Sequence, residues 1–213
     1  MSGPDPHAAI VRLLESERVV AIVRNGTATA GELAATASSL AESGFHLVEF
    51  PLTSKGALEA IELVSAGGGA SVVGAGTVTT VEEVDRVADA GASFIVTPAF
   101  DQRVLRRAHE RGLATLPGAL TPTEISAAVD AGATAVKIFP AGPLGPEYIA
   151  ALLAPYPRLR AVPTGGIAVD RVAEYLAAGA TAVGLGSDLV GDGSTEQIRA
   201  RAGALREQLE RVG

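Results

Sequence analysis

Lys137 sits inside the run Ala135-Val136-Lys137-Ile138-Phe139-Pro140, an apolar stretch of strand character, and it is one of only two lysines in the chain. Arginine supplies nearly all the other positive charge, so a lysine between valine and isoleucine asks for a reason. Two readings are open. The ammonium can snorkel from a strand end to water. Alternatively it is kept partly dry, so that its pKa falls and the neutral amine can attack a carbonyl and form a Schiff base. At the ordinary lysine pKa of about 10.4 only roughly one amine in a thousand is neutral at pH 7.4, so the second reading needs a shift.

An internal repeat gives this lysine a partner. Four segments, 42–49, 89–96, 130–137 and 177–184, share the pattern of a glycine followed by a short apolar run. Their glycines, Gly44, Gly91, Gly132 and Gly179, each read as a helix end just before an even-numbered strand. Five positions beyond each glycine stand Glu49, Val96, Lys137 and Gly184. In a parallel barrel the interior is layered, with four side chains per layer supplied by alternate strands. The shared register therefore predicts that these four form one layer, with Glu49 facing Lys137. A carboxylate and an amine are costly to bury, so the pair is either catalytic or a structural ion pair.

Two residues further on in the same register, Pro51, Pro98, Phe139 and Gly186 are expected to rim the C-terminal mouth. The turns Thr164-Gly165-Gly166-Ile167 and Gly184-Leu185-Gly186-Ser187-Asp188 follow the seventh and eighth strands. Glycine lets backbone N–H groups approach an anion closely, which predicts a phosphate cup of Gly165, Gly166, Gly186 and Ser187. Thr77 reads either as a hydroxyl pointing into the mouth or as a helix cap. Arg24 is either a solvated strand-end arginine or a clamp on a substrate carboxylate. His7, His46 and His109 stand apart in sequence with no ligand at metal spacing on a strand end, so no metal and no cofactor are expected. Lys55 reads as a solvated charge.

The elements that must position these groups follow from periodicity. Short apolar strands are expected at 19–24, 47–52, 72–78, 94–98, 114–118, 135–140, 160–164 and 181–186. Amphipathic helices alternate with them. Capping boxes are expected at Thr79-Thr80-Val81-Glu82, Thr121-Pro122-Thr123-Glu124 and Ser194-Thr195-Glu196-Gln197, and Asp5-Pro6 reads as the start of an extra N-terminal helix. Near-continuous apolar strands alternating with helices mean a parallel sheet covered on both faces. Eight such units predict an α/β fold, a (β/α)8 TIM barrel with an extra N-terminal helix, as a single domain over residues 1–213; an open doubly wound sheet is the alternative.

Composition sets the outer limits. The chain is 47% hydrophobic and contains no cysteine, which excludes thiolate chemistry and disulfides. A net charge of −7 argues against nucleic acid. The first 18 residues lack an apolar signal core and no apolar run approaches a membrane span, so a cytoplasmic protein is expected.

On these motifs the chain resembles the 2-keto-3-deoxy-6-phosphogluconate and 4-hydroxy-2-oxoglutarate aldolases, a family of class I, Schiff-base aldolases. The resemblance rests on Val48-Glu49-Phe50, Gly74-Ala75-Gly76-Thr77-Val78, Val96-Thr97-Pro98, Leu116-Pro117-Gly118, Val136-Lys137-Ile138-Phe139-Pro140, Pro163-Thr164-Gly165-Gly166 and Gly186-Ser187, and runs from Val19 to about Val190. It implies that Lys137 forms the Schiff base and that Glu49 is the general acid/base. Thr77 is then a contact of the pyruvate end, with Arg24, Pro98, Phe139 and Thr164 as further substrate contacts. Gly165, Gly166, Gly186 and Ser187 hold the phosphate, and the assembly is a homotrimer. Many members carry an arginine four residues after the glutamate, where this chain has Thr53. The segment Glu49-Phe50-Pro51-Leu52-Thr53-Ser54 is similar to the 6-phosphogalactonate branch, whereas Pro163-Thr164-Gly165-Gly166 is similar to the gluconate branch. The expected reaction is cleavage of 2-keto-3-deoxy-6-phosphogluconate to pyruvate and glyceraldehyde 3-phosphate. The galactonate epimer is one alternative. A phosphosugar isomerase, epimerase or synthase barrel, or a non-catalytic phosphometabolite-binding barrel, are the others.

Overall fold

The computed structural model describes residues 6–68, 71–191 and 194–212. Helix α1 (Pro6–Glu17) precedes the first strand; its expected Asp5 cap lies outside the described residues. Eight β-then-α units follow. They are β1 (Val19–Ile22) with α2 (Ala30–Glu42), β2 (Leu47–Pro51) with α3 (Ala57–Ala66), β3 (Val72–Gly76) with α4 (Val81–Asp89), and β4 (Phe94–Val96) with α5 (Gln102–Glu110). Next come β5 (Ala114–Leu116) and β6 (Gly118–Ala119) with α6 (Pro122–Asp130), and β7 (Val136–Ile138) with α7 (Gly145–Leu153). The last are β8 (Ala161–Pro163) with α8 (Val172–Ala177), and β9 (Val183–Leu185) with α9 (Thr195–Val212).

All strand pairs are parallel, in the orders β5-β4-β3-β2-β1-β9 and β6-β7-β8. Two seams join these ladders into a closed ring. The fifth barrel strand carries both β5 and β6, interrupted at Pro117, which has no N–H for the ladder. The carbonyl of Pro117 still accepts from the Lys137 amide at 2.9 Å. At the other seam Thr164 bridges Gly184 in parallel. The result is a (β/α)8 barrel; the open doubly wound sheet is not formed.

Period-two alternation sorts the strand side chains, as a barrel requires. Val48, Phe50, Ile95, Val136, Ile138, Val183 and Leu185 point outward into the core shared with the helices. Leu47, Phe94, Val96, Ala114, Ala135, Val162 and Ala182 point inward, and Ile10 and Leu14 of α1 pack onto them from the N-terminal end. The lower barrel is thus filled with side chains, and α1 closes it.

The helix ends follow the sequence closely. Gly44, Gly91, Gly132 and Gly179 have φ of 84°, 90°, 83° and 99°, the left-handed conformation that ends a helix where a side chain would be strained. Thr29 with Glu32 and Thr121 with Glu124 form capping boxes, and Ser194 with Gln197 exchanges the same two bonds. The expected box at Thr79 and Glu82 is displaced by one residue. Thr80 is the cap and Glu83 the third helical residue, because α4 begins at Val81. Most strands are shorter than expected at one or both ends, and two of the differing boundaries bear on the site. The first strand ends at Ile22, leaving Arg24 in the following loop, and residues 169–171 form a 3-10 turn before α8.

Candidate active site

The C-terminal mouth of the barrel opens into a cavity of about 630 Å3. Its wall brings together every site residue expected from the sequence: Arg24, Glu49, Thr77, Pro98, Lys137, Phe139, Thr164, Gly165, Gly166, Gly186 and Ser187. Glu49 and Lys137 lie on β2 and β7, and the others lie in the loops that follow β1, β3, β4, β7, β8 and β9. The wall also includes Ile22, Thr53, Ile167, Ala168, Gly184 and Asp188, which the sequence reading did not assign to substrate. Of the expected layer, Glu49, Lys137 and Gly184 face this cavity, whereas Val96 packs into the inward core beneath it. Of the expected rim, Pro51 is the exception: it is buried within β2, paired with Gly76.

Glu49 is 2% exposed and Lys137 9%. Lys137 extends over the Phe139 ring, its Nζ 4.8 Å from the ring centroid. Burial pushes the Glu49 carboxyl above the usual carboxylate range, and the charges of Lys137 and Arg24 only partly offset this. Burial also pulls the Lys137 ammonium below the usual lysine range. The Glu49 charge opposes that shift and Arg24 reinforces it. Among the described residues the two groups make no ion pair within 4.0 Å, so they are offset neighbours rather than a closed salt bridge. Burial drives both toward their neutral forms, which is the state an amine nucleophile needs.

Glycine opens the space these groups occupy. A Cβ on Gly76 would lie 1.7 Å from Oε1 of Glu49, so the carboxylate rests where a side chain on β3 would stand. A Cβ on Gly184 would lie 2.3 Å from Oγ1 of Thr164, whose hydroxyl donates to the Val162 carbonyl at 3.0 Å. Phe139 packs against Gly165, where an added Cβ would fall 2.7 Å from the ring. Thr77 adopts φ 59°, an uncommon left-handed conformation for a β-branched residue, and the cap of the next helix is Thr80. The capping reading of Thr77 therefore fails, and a residue held in a strained conformation at a cavity wall is a mark of a functional site.

The two glycine turns lie side by side at the mouth. The Gly142 amide donates to the Gly165 carbonyl at 2.8 Å and the Ala141 amide to the Thr164 carbonyl at 2.9 Å. The amides of Gly166, Ile167, Ser187 and Asp188 donate to no other backbone group among the described residues, whereas the Gly165 amide faces Gly184 at the parallel bridge. The first four form a cup of open donors suited to an anion. Thr53 lines the cavity with a short neutral side chain. Arg24 is exposed at the wall, and among the described residues it is, apart from Lys137, the only cationic side chain lining the cavity.

The histidines lie elsewhere, but the fold pairs them in ways their spacing hid. His46 Nδ1 is 2.8 Å from Oε1 of Glu17, and the His7 and His109 rings are 5.6 Å apart. Lys55 is exposed in the turn before α3. Among the described residues no three histidines, aspartates or glutamates gather as a metal-ligand group, and no helix is long and apolar enough to cross a membrane.

A closed parallel barrel with a buried, offset lysine–carboxylate pair beneath a glycine-lined anion cup defines a class of barrel lyase. Comparison with known proteins narrows that class. The family described as KDPG and KHG aldolase matches residues 10–201. The chain belongs to that family, and it is an aldolase, a carbon–carbon lyase. It is 39% identical over 188 residues to the 2-dehydro-3-deoxy-6-phosphogalactonate aldolase of Escherichia coli, covering 87% of this chain and 91% of the relative. It is 33% identical over 169 residues to the 2-dehydro-3-deoxy-phosphogluconate aldolase of Haemophilus influenzae, covering 79% of each. A solved structure described as native KDPGal superimposes with a TM-score of 0.86 at 37% identity, covering 91% of this chain and 95% of the other. The KDPG aldolase of Legionella pneumophila, solved with pyruvate captured as a covalent carbinolamine, gives 0.82 at 25% identity, covering 94% and 97%.

Proposed function

We propose that this aldolase cleaves 2-keto-3-deoxy-6-phosphogluconate to pyruvate and glyceraldehyde 3-phosphate through a Schiff base on Lys137. The observation that carries the reading is the buried amine of Lys137 at the cavity floor, its ammonium disfavoured by burial and its carboxylate neighbour Glu49 likewise. The reactive form of the pair has a neutral amine and a protonated Glu49, the direction in which burial pushes both groups. The amine adds to the C2 ketone, and Glu49 gives its proton to the departing hydroxyl as water leaves. The iminium that forms stands beside an ionised Glu49, which is now a base. It takes the C4 hydroxyl proton, the C3–C4 bond breaks, and the bonding electrons move into the iminium as an enamine while the aldehyde departs. Glu49 returns the proton to the enamine carbon, and water releases pyruvate and restores the amine.

The remaining wall residues bind and orient. The phosphate sits against the turns of Gly165 and Gly166 and of Gly186 and Ser187, with the open amides of Gly166 and Ser187 as donors and the other two glycines giving close approach. Thr77 and Arg24 hold the pyruvate carboxylate, Arg24 supplying the charge that Thr53 lacks. Pro98, Phe139 and Thr164 enclose the chain between the two ends. The galactonate epimer is the alternative substrate, because relatives of both names match this chain at similar identity. The assembly we propose is a cytoplasmic homotrimer of single-domain barrels. Light scattering at micromolar concentration should give three times the chain mass, and a monomeric mass would overturn it.

The mechanism is tested by reducing the enzyme with borohydride in the presence of pyruvate. Intact mass should rise by one adduct per chain, mapped to Lys137. An adduct on Lys55, or aldol cleavage surviving in Lys137→Ala, would overturn it.

A further inference from the structure

Asp188 stands at the cavity wall next to Ser187, and its Oδ2 accepts a hydrogen bond from the Val169 amide at 2.5 Å. That bond joins the two glycine turns. The turn after β8 is fixed at its near end, where Ala141 and Gly142 hold the Thr164 and Gly165 carbonyls. Gly142 seats it closely, since a Cβ there would fall 2.2 Å from the Gly166 carbonyl oxygen. Its far end, Val169, begins the 3-10 turn and reaches the β9 side through the Asp188 carboxylate. Asp188 itself rides on a tight turn, in which the Leu189 and Val190 amides both donate to the Gly186 carbonyl at 3.1 and 2.9 Å.

We propose that Asp188 is a positioning residue that sets the spacing of the two anion-binding turns, so that the amides of Gly166 and Ser187 converge on one phosphate. The proposal rests on the phosphate reading above. A carboxylate at this point acts in two opposed ways. Through space its charge works against a bound phosphate. Through its hydrogen bond it keeps the two donor sets facing one point, and a charge-assisted bond of this kind is strong enough to hold a loop. Asp188→Asn separates the two effects, because the amide oxygen keeps the acceptor and removes the charge. Asp188→Ala removes both.

The test compares kcat and KM of these variants for the phosphorylated substrate and for 4-hydroxy-2-oxoglutarate, with amide hydrogen exchange of segment 164–171 read by mass spectrometry. Asp188→Ala should raise KM for the phosphorylated substrate roughly tenfold, the scale of one lost charge-assisted hydrogen bond. Its kcat, and its KM for 4-hydroxy-2-oxoglutarate, should stay within about twofold of wild type, and segment 164–171 should exchange faster. Asp188→Asn should return KM to the wild-type value or below and restore slow exchange. The proposal is overturned if both variants tighten phosphorylated substrate alike, if Asp188→Ala affects both substrates equally, or if exchange is unchanged. A wild-type enzyme with no preference for the phosphorylated substrate would remove the phosphate reading and with it this role. The exchange measurement would still report separately whether the bond holds the turns.

Discussion

Lys137 and Glu49 each place a charge-bearing group where its charge is disfavoured, and their coupling fixes how activity depends on pH. The Glu49 charge raises the proton affinity of Lys137, so Glu49→Gln should lower the lysine pKa further. Capture of pyruvate by borohydride needs the neutral amine, so its rate rises as pH rises through the Lys137 pKa. In Glu49→Gln that rise should move to lower pH. In Arg24→Met, which removes a neighbouring cation, it should move to higher pH, by less, because Arg24 is exposed and screened. Meanwhile exchange of pyruvate methyl protons with deuterated water should fall roughly 10²–10⁴-fold in Glu49→Gln, the usual scale for a lost acid/base. Exchange at the wild-type rate would make Glu49 a structural partner only. The pair was legible in the sequence because both residues lie five positions after a helix-ending glycine. The distance between them was not, because it depends on how far two strands on opposite sides of the ring are separated.

At the scale of the elements, β3 contributes space more than groups. The carboxylate of Glu49 occupies the position above Gly76, 1.7 Å from where a methyl would stand. Gly76→Ala should leave the barrel folded, at a cost of roughly 1–3 kcal/mol for the overpacked methyl. The displaced carboxylate should lower kcat/KM by about 10²-fold, the penalty for shifting a catalytic group by about an ångström. Pyruvate trapping on Lys137 should persist, since the lysine is on another strand; a fall in trapping equal to the fall in cleavage would show that Gly76 serves the whole floor. The segment Gly74-Ala75-Gly76-Thr77 was legible as one of the motifs of the family resemblance, but the duty of Gly76 toward Glu49 was not. Within one strand, alternation says which face a residue takes. Only the register of β2 against β3, Glu49 opposite Gly74 and Pro51 opposite Gly76, says which glycine lies against the carboxylate. The break at Pro117 and the Asp188 bond to Val169 are hidden for the same reason: both depend on neighbours across the ring. The helix ends, by contrast, depend on residues three or four apart; the glycine ends and the boxes at Thr121 and Ser194 were legible, whereas the Thr80 cap was displaced by one residue and the 3-10 turn at 169–171 was not foreseen.

The barrel as a whole has a top and a bottom of different character. Eight apolar strands alternating with amphipathic helices made its closure legible. Ile10 and Leu14 of α1, stacked on Val20, Leu47, Phe94 and Ala182, seal the N-terminal end. Among the described residues the cavity opens at the C-terminal mouth, and Lys137, the proposed Schiff-base residue, stands at its floor. Traffic through that mouth imposes a queue. When the sugar acid is cut, the aldehyde half lies nearer the exit and the pyruvate half remains tethered behind it. The aldehyde leaves first and pyruvate last, so the empty enzyme competes for substrate and pyruvate alike. In initial-rate measurements pyruvate should inhibit competitively against the phosphorylated sugar acid, whereas glyceraldehyde 3-phosphate should give mixed inhibition. Run backward, the same queue makes the aldehyde a late arrival that meets an enamine already waiting at the floor.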